Sequence, residues 1–270
     1  LMSGPLLDIV IIAKMNTSIR FISTLESIIN QVYSSVNIVV VDVNDYGSEY
    51  SLGLQEDLSA FKNIEYKKMD SSSSMSEIRN FMLECLKGEY VAFLTANDTW
   101  DICTAQAVIK EFEKNPDKNA VLINGYLTDE RKAEILEELL IKHDKSALKN
   151  LILDNLPVMS AQIIYRKKGL KDAGGFDDDF DLLCDADMLL RLSRKNDVLL
   201  IPEILCQCRI TESFRNFEWK LYLELKKLRM KHLDLYLTDK NIDLKFYKNM
   251  IVLSNKNLLL LNFISYNDLY

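Results

Sequence analysis

The stretch EYVAFLTANDTW, from Glu89 to Trp100, decides the fold class of this 270-residue chain. Its first half, Tyr90 to Leu94, is a continuous apolar run, which is typical of a strand covered on both faces of a sheet. Its second half, Thr95 to Asp98, is a polar turn that carries a single carboxylate. A helical pattern precedes the strand and stops at Gly88, a common residue at helix ends. A buried strand that follows a helix predicts an α/β fold.

The same alternation of strands and helices extends toward the N-terminus. Leu7 to Ala13 and Val36 to Val41 are apolar, β-branched runs that predict two more buried strands. Between them, Ile19 to Val32 has apolar residues at helical spacing. Parallel strands joined by right-handed crossovers bind ligands at their carboxyl ends. We therefore expect Asp42 and the turn Thr95 to Asp98 to lie near each other.

Other segments complete the predicted order of elements. Before Gly88 we predict a helix over residues 52–61, a strand from Ile64 to Tyr66, and a helix that Ser74 caps through a capping box with Glu77. Beyond Trp100 we predict helices over Ile102 to Lys114, Glu130 to Leu153 and Asp185 to Lys195, and strands over Ala120 to Leu127, Ser160 to Arg166 and Val198 to Ile210. From Glu212 onward the pattern is helical. The prediction is a mixed α/β sheet flanked by helices over residues 6–213, followed by a C-terminal helical segment over residues 214–270.

The composition indicates an ordinary globular protein, with 48% hydrophobic and 27% charged residues. The net charge of −7 argues against a nucleic-acid partner held by backbone electrostatics. Five cysteines lack the paired spacing of a metal site, and Cys206 and Cys208 read as small buried residues on one face of a strand. Without a recognisable signal peptide or membrane span, the expected location is the cytoplasm.

Three polar residues at the predicted strand ends are candidate ligand-binding residues, and two of them also have a structural interpretation. Asp42 is either a turn residue or a polar contact to a bound nucleotide. Asn97 and Asp98 are candidate oxygen ligands for Mg²⁺ or Mn²⁺, with less negative charge than a two-carboxylate site offers. Alternatively, Asp98 caps a helix that begins near Asp101.

The segment GGFDDDFDLLCDADMLLRL places Asp185 and Asp187 in the first turn of an amphipathic helix. Carboxylates at that position favour the helix dipole, and Asp185 could instead face a cleft as a general base. His143 and His232 lie in predicted charged helices, and we expect neither to be catalytic. The sequence contains no Gly-rich phosphate loop.

Together these segments resemble family 2 glycosyltransferases of the GT-A fold, over about residues 6 to 213. The resemblance rests on ordered motifs: LDIVIIAKMN, TLESIINQVYSSVNIVVVDVNDYGS, EIRNFMLECLKGEYVAFLTANDTW, GGFDDDFDLLCDADMLLRL and CRITESF. Each motif is weak by itself, and their correct order along the chain is a strong fold signal.

The resemblance implies a Rossmann-like sheet that binds a nucleotide-diphospho-sugar and transfers the sugar, with inversion, to a hydroxyl of a glycan, lipid-linked or protein acceptor. It implies Asp185 as the catalytic base, with Asp187 and Trp100 on the acceptor side. The implied donor-binding residues are Ala13, Asp42, Arg79 and Asn97, and the implied ligands for Mg²⁺ or Mn²⁺ are Asn97 and Asp98.

Several family positions differ in this chain. Val43 stands where the family has a second aspartate, Thr95-Ala96-Asn97 replaces the metal-binding Asp-x-Asp, Cys184 replaces a glutamate and Thr211 a histidine. These changes motivate an alternative hypothesis, a catalytically inactive glycosyltransferase-like subunit that binds a partner protein or an acceptor. The basic amphipathic stretch Phe217 to Leu237 either packs on the domain or contacts a partner or a membrane surface.

Overall fold

The computed structural model describes residues 4–14, 18–129, 135–139, 158–195, 197–210 and 218–237. Its strands are β1 (Leu7–Ala13), β2 (Val36–Asp42), β3 (Ile64–Lys68), β4 (Tyr90–Thr95), β5 (Thr99–Trp100), β6 (Ala120–Asp129), β7 (Ile135–Leu139), β8 (Ile163–Arg166) and β9 (Val198–Ile210). Its helices are α1 (Ser18–Ile29), α2 (Glu49–Leu58), α3 (Met75–Cys85), α4 (Thr104–Lys114), α5 (Lys167–Asp172), α6 (Cys184–Ser193), α7 (Glu218–Lys231) and α8 (Leu233–Tyr236), with a 3-10 turn at Ser160–Gln162.

The first half of the sheet is parallel, in the order β3-β2-β1-β4. Ala13 at the end of β1 pairs with Asp42, and Ile12 pairs with Thr95, so these strands end at one common edge. Because β1 lies between β2 and β4, Asp42 and the polar turn are separated by two strand spacings, roughly 10 Å. The parallel half confirms the predicted α/β class.

The second half of the sheet mixes strand directions. Strand β8 is antiparallel to both β4 and β6, whereas β9 runs parallel to β6 over most of its length. The two-residue strand β5 pairs antiparallel with β9, through Thr99 with Gln207 and Trp100 with Cys206. Since β5 directly follows the polar turn, β9 holds that turn in place.

Two hydrophobic clusters cover the two faces of the sheet. Alternate residues of β1 enter different clusters, with Val10 in one and Ile9 in the other. The first cluster includes residues of α3, α6 and α7, and the second includes residues of α1 and α4. Helix α7 contributes Tyr222, Leu225 and Leu228 to the first cluster, which confirms that this helix packs on the domain. The predicted boundary near residue 213 lies outside the described residues.

Helix α3 begins as the sequence predicts, while the prediction of another helix needs correction. The Ser74 hydroxyl accepts the Glu77 backbone N–H, and the Glu77 carboxylate accepts the Ser74 backbone N–H, which completes the capping box of α3. The helix predicted over Glu130 to Leu153 is wrong for Ile135–Leu139, which form β7 because the edge of β6 offers them ladder partners. The rest of that segment lies outside the described residues. No helix in the described ranges is both long and apolar enough to cross a membrane.

Candidate functional site

Asp42 ends β2 and lies fully buried at the edge where the parallel strands end. Its carboxylate accepts four hydrogen bonds: two from Asn44, through the backbone and side-chain N–H groups, one from Ser51 and one from Tyr66. Burial works to raise the pKa of Asp42, but the bonds from Ser51, Asn44 and Tyr66 together lower it. Four bonds satisfy a carboxylate, so Asp42 fixes the turn after β2.

Ala13 and Val43 are also tied into this edge. The Ala13 carbonyl accepts the Val43 N–H at 3.1 Å and the Asn44 side-chain N–H at 3.4 Å. Val43, which replaces an acidic residue of the motif, is buried in the hydrophobic cluster beside α3. At the position where the family 2 motif resembled by this sequence has a second aspartate, this edge of the sheet presents the neutral backbone of Val43 and Asn44.

In the turn after β4, the Asp98 carboxylate points back into the protein. One oxygen of Asp98 accepts the backbone N–H and the hydroxyl of Thr95, and the other accepts the Arg209 backbone N–H at 3.4 Å. Asp98 is 1% exposed, and this burial raises its pKa to about 6. The predicted cap of a helix near Asp101 is therefore wrong: β5 follows Asp98 directly, and α4 begins only at Thr104.

Asn97 has a different environment. Its side chain is buried, and its Oδ1 has no hydrogen-bond partner among the described residues. A buried acceptor without a donor costs about 1–3 kcal/mol. A ligand hydroxyl or N–H that reached Asn97 would recover that free energy.

These residues do not match the needs of a divalent cation. Mg²⁺ and Mn²⁺ bind hard, preferably anionic oxygens. The turn offers the neutral Asn97 oxygen, while both Asp98 oxygens are bonded to N–H and O–H groups of Thr95 and Arg209. No cluster of three or more His, Cys, Asp or Glu side chains in the described ranges could hold a metal ion. The predicted ligands Asn97 and Asp98 thus offer one carboxylate at most, and that carboxylate is buried.

A second polar group surrounds Asp185 at the start of α6, and we call it the Asp185 network. Its members are Asp185, Arg79, Ser160 and Tyr165. One oxygen of Asp185 lies 2.8 Å from Arg79 Nη2 and accepts the Ser160 hydroxyl at 2.7 Å. The other oxygen accepts the Tyr165 hydroxyl at 2.9 Å. Elements from three parts of the chain, α3, the turn before β8, and β8 itself, therefore position this carboxylate.

Arg79 is as enclosed as Tyr165 in this network, with 1% of its surface exposed. Its guanidinium packs against the adjoining rings of Phe93 and Phe176, 5.3 and 5.1 Å from their centroids. Burial works against the charged form, but the neighbouring Asp185 carboxylate raises the pKa of Arg79. Arg79 therefore stays a cation and forms a buried ion pair with Asp185. Burial also raises the pKa of the adjacent Cys184 thiol to about 12.

Asp185 keeps a limited opening to solvent. Its side chain is 7% exposed. Among the described residues, the oxygen that faces Tyr165 accepts only that one hydrogen bond, and a carboxylate oxygen can accept two. This oxygen can therefore accept a hydrogen bond from a hydroxyl of a bound molecule.

Asp187, two residues further on, lies fully buried in a separate cluster with the C-terminal helices. It accepts bonds from Arg191 at 2.9 Å, from Lys231 at 2.7 Å and from His232 at 2.8 Å. Burial would raise the pKa of Asp187, but the bonds from His232 and Lys231 lower it. The structure places Asp187 where it anchors α7 and α8 to α6.

Trp100 connects the two groups of polar residues. It is buried, and its indole N–H donates to the Ala161 carbonyl at 2.8 Å, next to Ser160 of the Asp185 network. Its backbone N–H donates to the Ser27 hydroxyl of α1. Trp100 thus ties the polar turn after β4 to the residues that hold Asp185.

Comparison with known proteins assigns the family. Residues 9–173, more than half of the chain, match the family described as Glycosyl transferase family 2. The chain belongs to glycosyl transferase family 2. Family membership supports glycosyl transfer as its class of activity. The Asp185 network extends beyond the matched residues, since Asp185 follows residue 173.

Relatives of this family 2 chain agree with the assignment. An uncharacterized glycosyltransferase of Haemophilus influenzae is 24% identical over 269 residues, which cover 92% of this chain and 80% of the relative. The S. aureus TarS structure matches with a TM-score of 0.59 at 18% identity, over 81% of this chain and 39% of TarS. The mannosyltransferase PcManGT of Pyrobaculum calidifontis, in complex with GDP-Man and Mn²⁺, matches with a TM-score of 0.63 at 14% identity, over 89% of this chain and 69% of that protein. These likenesses show the GT-A fold, and the chain spans well under half of TarS.

The structure adds residues that the sequence did not single out. Ser160 and Tyr165 bond Asp185, Ser51 and Tyr66 bond Asp42, and Arg209 reaches the turn after β4. Apart from Ser51, which is nine residues from Asp42, each is at least 20 residues away in sequence from the residue it contacts. One local pattern could have pointed to Tyr165. Alternate residues of a strand lie on the same face, so Tyr165 shares a face of β8 with Ile163, in the cluster beside α3 and α6.

Proposed function

We propose that this chain is an inverting glycosyltransferase that moves a sugar, expected to be a hexose, from a nucleotide-diphospho-sugar to an acceptor hydroxyl, with Asp185 as the general base. Family membership supports the transfer of a sugar. The complexes of related structures with UDP, UDP-GlcNAc and GDP-Man support a nucleotide-linked donor.

The observation that carries this proposal is the fixed and partly open carboxylate of Asp185. Arg79 pairs with Asp185, and Ser160 and Tyr165 orient it, so the proton-accepting oxygen is held in one direction. In the proposed reaction this oxygen takes the proton of the acceptor hydroxyl. The hydroxyl oxygen bonds to the anomeric carbon as the bond to the nucleoside diphosphate breaks, and a single displacement inverts the configuration.

We place the donor at the edge where β1, β2 and β4 end. Asn97 supplies an unpaired acceptor for a hydroxyl of the sugar or ribose, and the backbone around Ala13 and Asp42 lines the base side. Arg79 contributes through Asp185 and not by direct contact with the donor, since its guanidinium is buried against two aromatic rings.

The test is transfer or hydrolysis of UDP-, GDP- and dTDP-sugars by the wild-type chain and by Asp185→Asn. We expect Asp185→Asn to lose about three or more orders of magnitude in turnover while it binds the donor as before, because the base acts on the acceptor. Asp179→Asn is the matched control, since Asp179 is an exposed acid in the loop before α6. Proton NMR of the product would show inverted anomeric configuration. Equal turnover by Asp185→Asn and wild type would reject this residue as the base.

A second candidate function is an inactive subunit that binds a partner protein or an acceptor. The full set of bonds at Asp42 and the inward Asp98 favour it, because the Asp42 carboxylate is fully hydrogen-bonded and the Asp98 carboxylate is buried. Binding of an acceptor without any nucleotide binding would support this alternative over the enzyme.

We further propose a cytoplasmic location with contact to a membrane surface or a partner through α7. The outer face of α7 exposes Trp219, Leu223 and Met230 at helical spacing, with Lys226 among them. An apolar stripe with basic residues is typical of helices that lie on lipid surfaces. Such a contact would suit a lipid-linked acceptor, and vesicle sedimentation with anionic lipids would test it.

A further inference from the structure

A displacement reaction requires the acceptor hydroxyl and the donor to be held at a fixed distance and angle. A misplacement of about 1 Å between reacting groups can cost about 100-fold in rate. In this protein the proposed donor edge ends at the turn Thr95 to Asp98, whereas the proposed base, Asp185, lies far along the chain in α6. An element that contacts both has to fix their relative position.

That element is the 3-10 turn Ser160–Gln162, which lies against β4, β6 and β9. Its first residue contacts the base, because the Ser160 hydroxyl donates to the Asp185 carboxylate at 2.7 Å. The same hydroxyl accepts an N–H of Arg79 at 2.6 Å. The turn therefore directly supports the carboxylate that the proposed reaction uses.

Trp100 connects this turn to the donor side. It belongs to β5, which directly follows the polar turn after β4. Its indole N–H donates to the Ala161 carbonyl at 2.8 Å, and Trp100 is 4% exposed. An indole has a single N–H donor, so this bond leaves the Trp100 side chain no donor for a substrate. The contact favours a role in holding the turn over the acceptor-side role that the family resemblance implies.

Gln162 fastens the other end of the turn to the sheet. Its side chain is buried, and its Oε1 accepts the Met159 backbone N–H at 3.0 Å. Its Nε2 donates to the Ile123 carbonyl of β6, also at 3.0 Å. The Gln162 backbone N–H adds a bond to the Met159 carbonyl at 2.9 Å. A buried amide that is bonded at both ends is rigid, so Gln162 fixes the turn on β6.

We propose that Trp100 and Gln162 are positioning residues, which hold Asp185 in place relative to the donor through the turn Ser160–Gln162. This inference rests on the proposed function, because it takes Asp185 as the general base. Neither residue touches the donor, so loss of either contact moves the base and leaves the donor contacts as they are. The expected effect is therefore a fall in kcat at constant donor affinity.

The experiment measures kcat and donor KM for hydrolysis of UDP-, GDP- and dTDP-sugars by the whole chain, with water as the acceptor, and donor Kd by calorimetry. Trp100→Phe keeps an aromatic ring and removes the N–H, and Gln162→Met keeps the side-chain length and removes both polar ends. Each variant should lose about 10- to 100-fold in kcat, with donor KM and Kd within about threefold of wild type. Gln106→Met, at an exposed position on α4, is the matched control and should keep kcat within about twofold.

The double variant tests whether the two residues act through one turn. Once Trp100→Phe has released the turn, Gln162→Met has little left to change. The double variant should therefore keep kcat within about threefold of the more impaired single variant. Losses that multiply would show that the two residues act independently, which contradicts the proposal.

Other results overturn the inference and leave the proposed function intact. Unchanged kcat in both variants is one such result. A rise in donor KM at constant kcat is another, because it would make the residue a substrate contact. Turnover of no donor by the wild-type chain, or full turnover by Asp185→Asn, rejects the proposed function and this inference together. Circular dichroism checks the fold of each variant, and Gln162→Met gives the test by itself if Trp100→Phe does not fold.

Discussion

Single buried acids have different environments in this protein, and Asp98 illustrates what burial does to one of them. The hydrogen bonds from Thr95 and Arg209 do not fully offset the loss of water around its carboxylate. Asp42 is equally buried, yet its four bonds from Asn44, Ser51 and Tyr66 lower its pKa. In Asp42 the hydrogen bonds outweigh the effect of burial on the pKa, whereas in Asp98 they do not.

Asp98 leads to a prediction about stability and pH. Its pKa is about 6 in the folded protein against an ordinary value of 3.8, so the folded state keeps a proton that the unfolded state has lost. The free energy of unfolding should therefore fall as pH rises from about 4 to about 6, by up to about 3 kcal/mol, and level off above that range. Urea denaturation of wild type and Asp98→Asn at pH 4, 5, 6 and 7 measures this change in the free energy of unfolding. The stability difference between the two should shift in favour of the variant as pH rises, and parallel pH profiles would contradict the prediction.

At the scale of elements, helix α7 acts as a cap for helix α6. Glu224 is buried, and its carboxylate accepts the backbone N–H groups of Asp181, Leu182 and Leu183 at 3.2, 2.8 and 2.9 Å. These residues lead into α6, whose own cap residue, Leu183, has no side-chain acceptor. A side chain from a distant helix thus performs the role that Ser or Asp has at most helix starts.

We predict that Glu224→Gln lowers the free energy of unfolding by about 1–3 kcal/mol, because the amide NH₂ would face a backbone N–H. Hydrogen exchange of residues 181–183 should accelerate, and the turnover of the enzyme should fall, since these residues precede Asp185. Glu113→Gln, at an exposed position on α4, is the control and should stay within about 0.5 kcal/mol. Unchanged exchange at residues 181–183 would mean that Glu224 does not hold the start of α6.

Elements also show what the sequence could predict. Strand β4 and the capping box of α3 were predictable because the apolar run and the Ser74–Glu77 pair are local patterns. Strands β5 and β7 were not, since each forms only through a partner strand elsewhere in the chain. The residues around Asp185 come from α3 and β8, and no local pattern links these segments. Asp185 itself was predictable as a candidate, whereas the groups that hold it were not.

At the scale of the whole molecule, the C-terminal helix shares the core of the sheet. The two tryptophans of the chain report on separate parts of it: Trp100 is in β5, and Trp219 is in α7, stacked on Tyr222. Tyr222 belongs to the hydrophobic cluster that also contains residues of β1 and α6. Helix α7 should therefore unfold together with the sheet.

In the Trp100→Phe variant, Trp219 is the remaining tryptophan. We predict that its fluorescence and the far-UV circular dichroism of this variant show the same urea unfolding transition. Trp219→Phe, followed by Trp100 fluorescence, should likewise match its own circular dichroism. Comparison within each variant removes the cost of the substitution itself. Loss of the Trp219 signal at lower urea would mean that α7 is a separately unfolding unit, as a boundary near residue 213 would allow.

The pairing of β5 with β9 has a consequence for synthesis on the ribosome. Trp100 in β5 can pair with Cys206 in β9 only after β9 has been translated. At about 5–20 residues per second, the roughly 100 residues between them take about 5–20 s to synthesise. During that time β1 to β4 can already pair, because all four strands have been translated. The turn with Asn97 and Asp98 gains its partner strand only afterwards, together with Arg209. The edge that we propose binds the donor is therefore completed late, so a nascent chain that stalls before β9 would hold a sheet without a donor site.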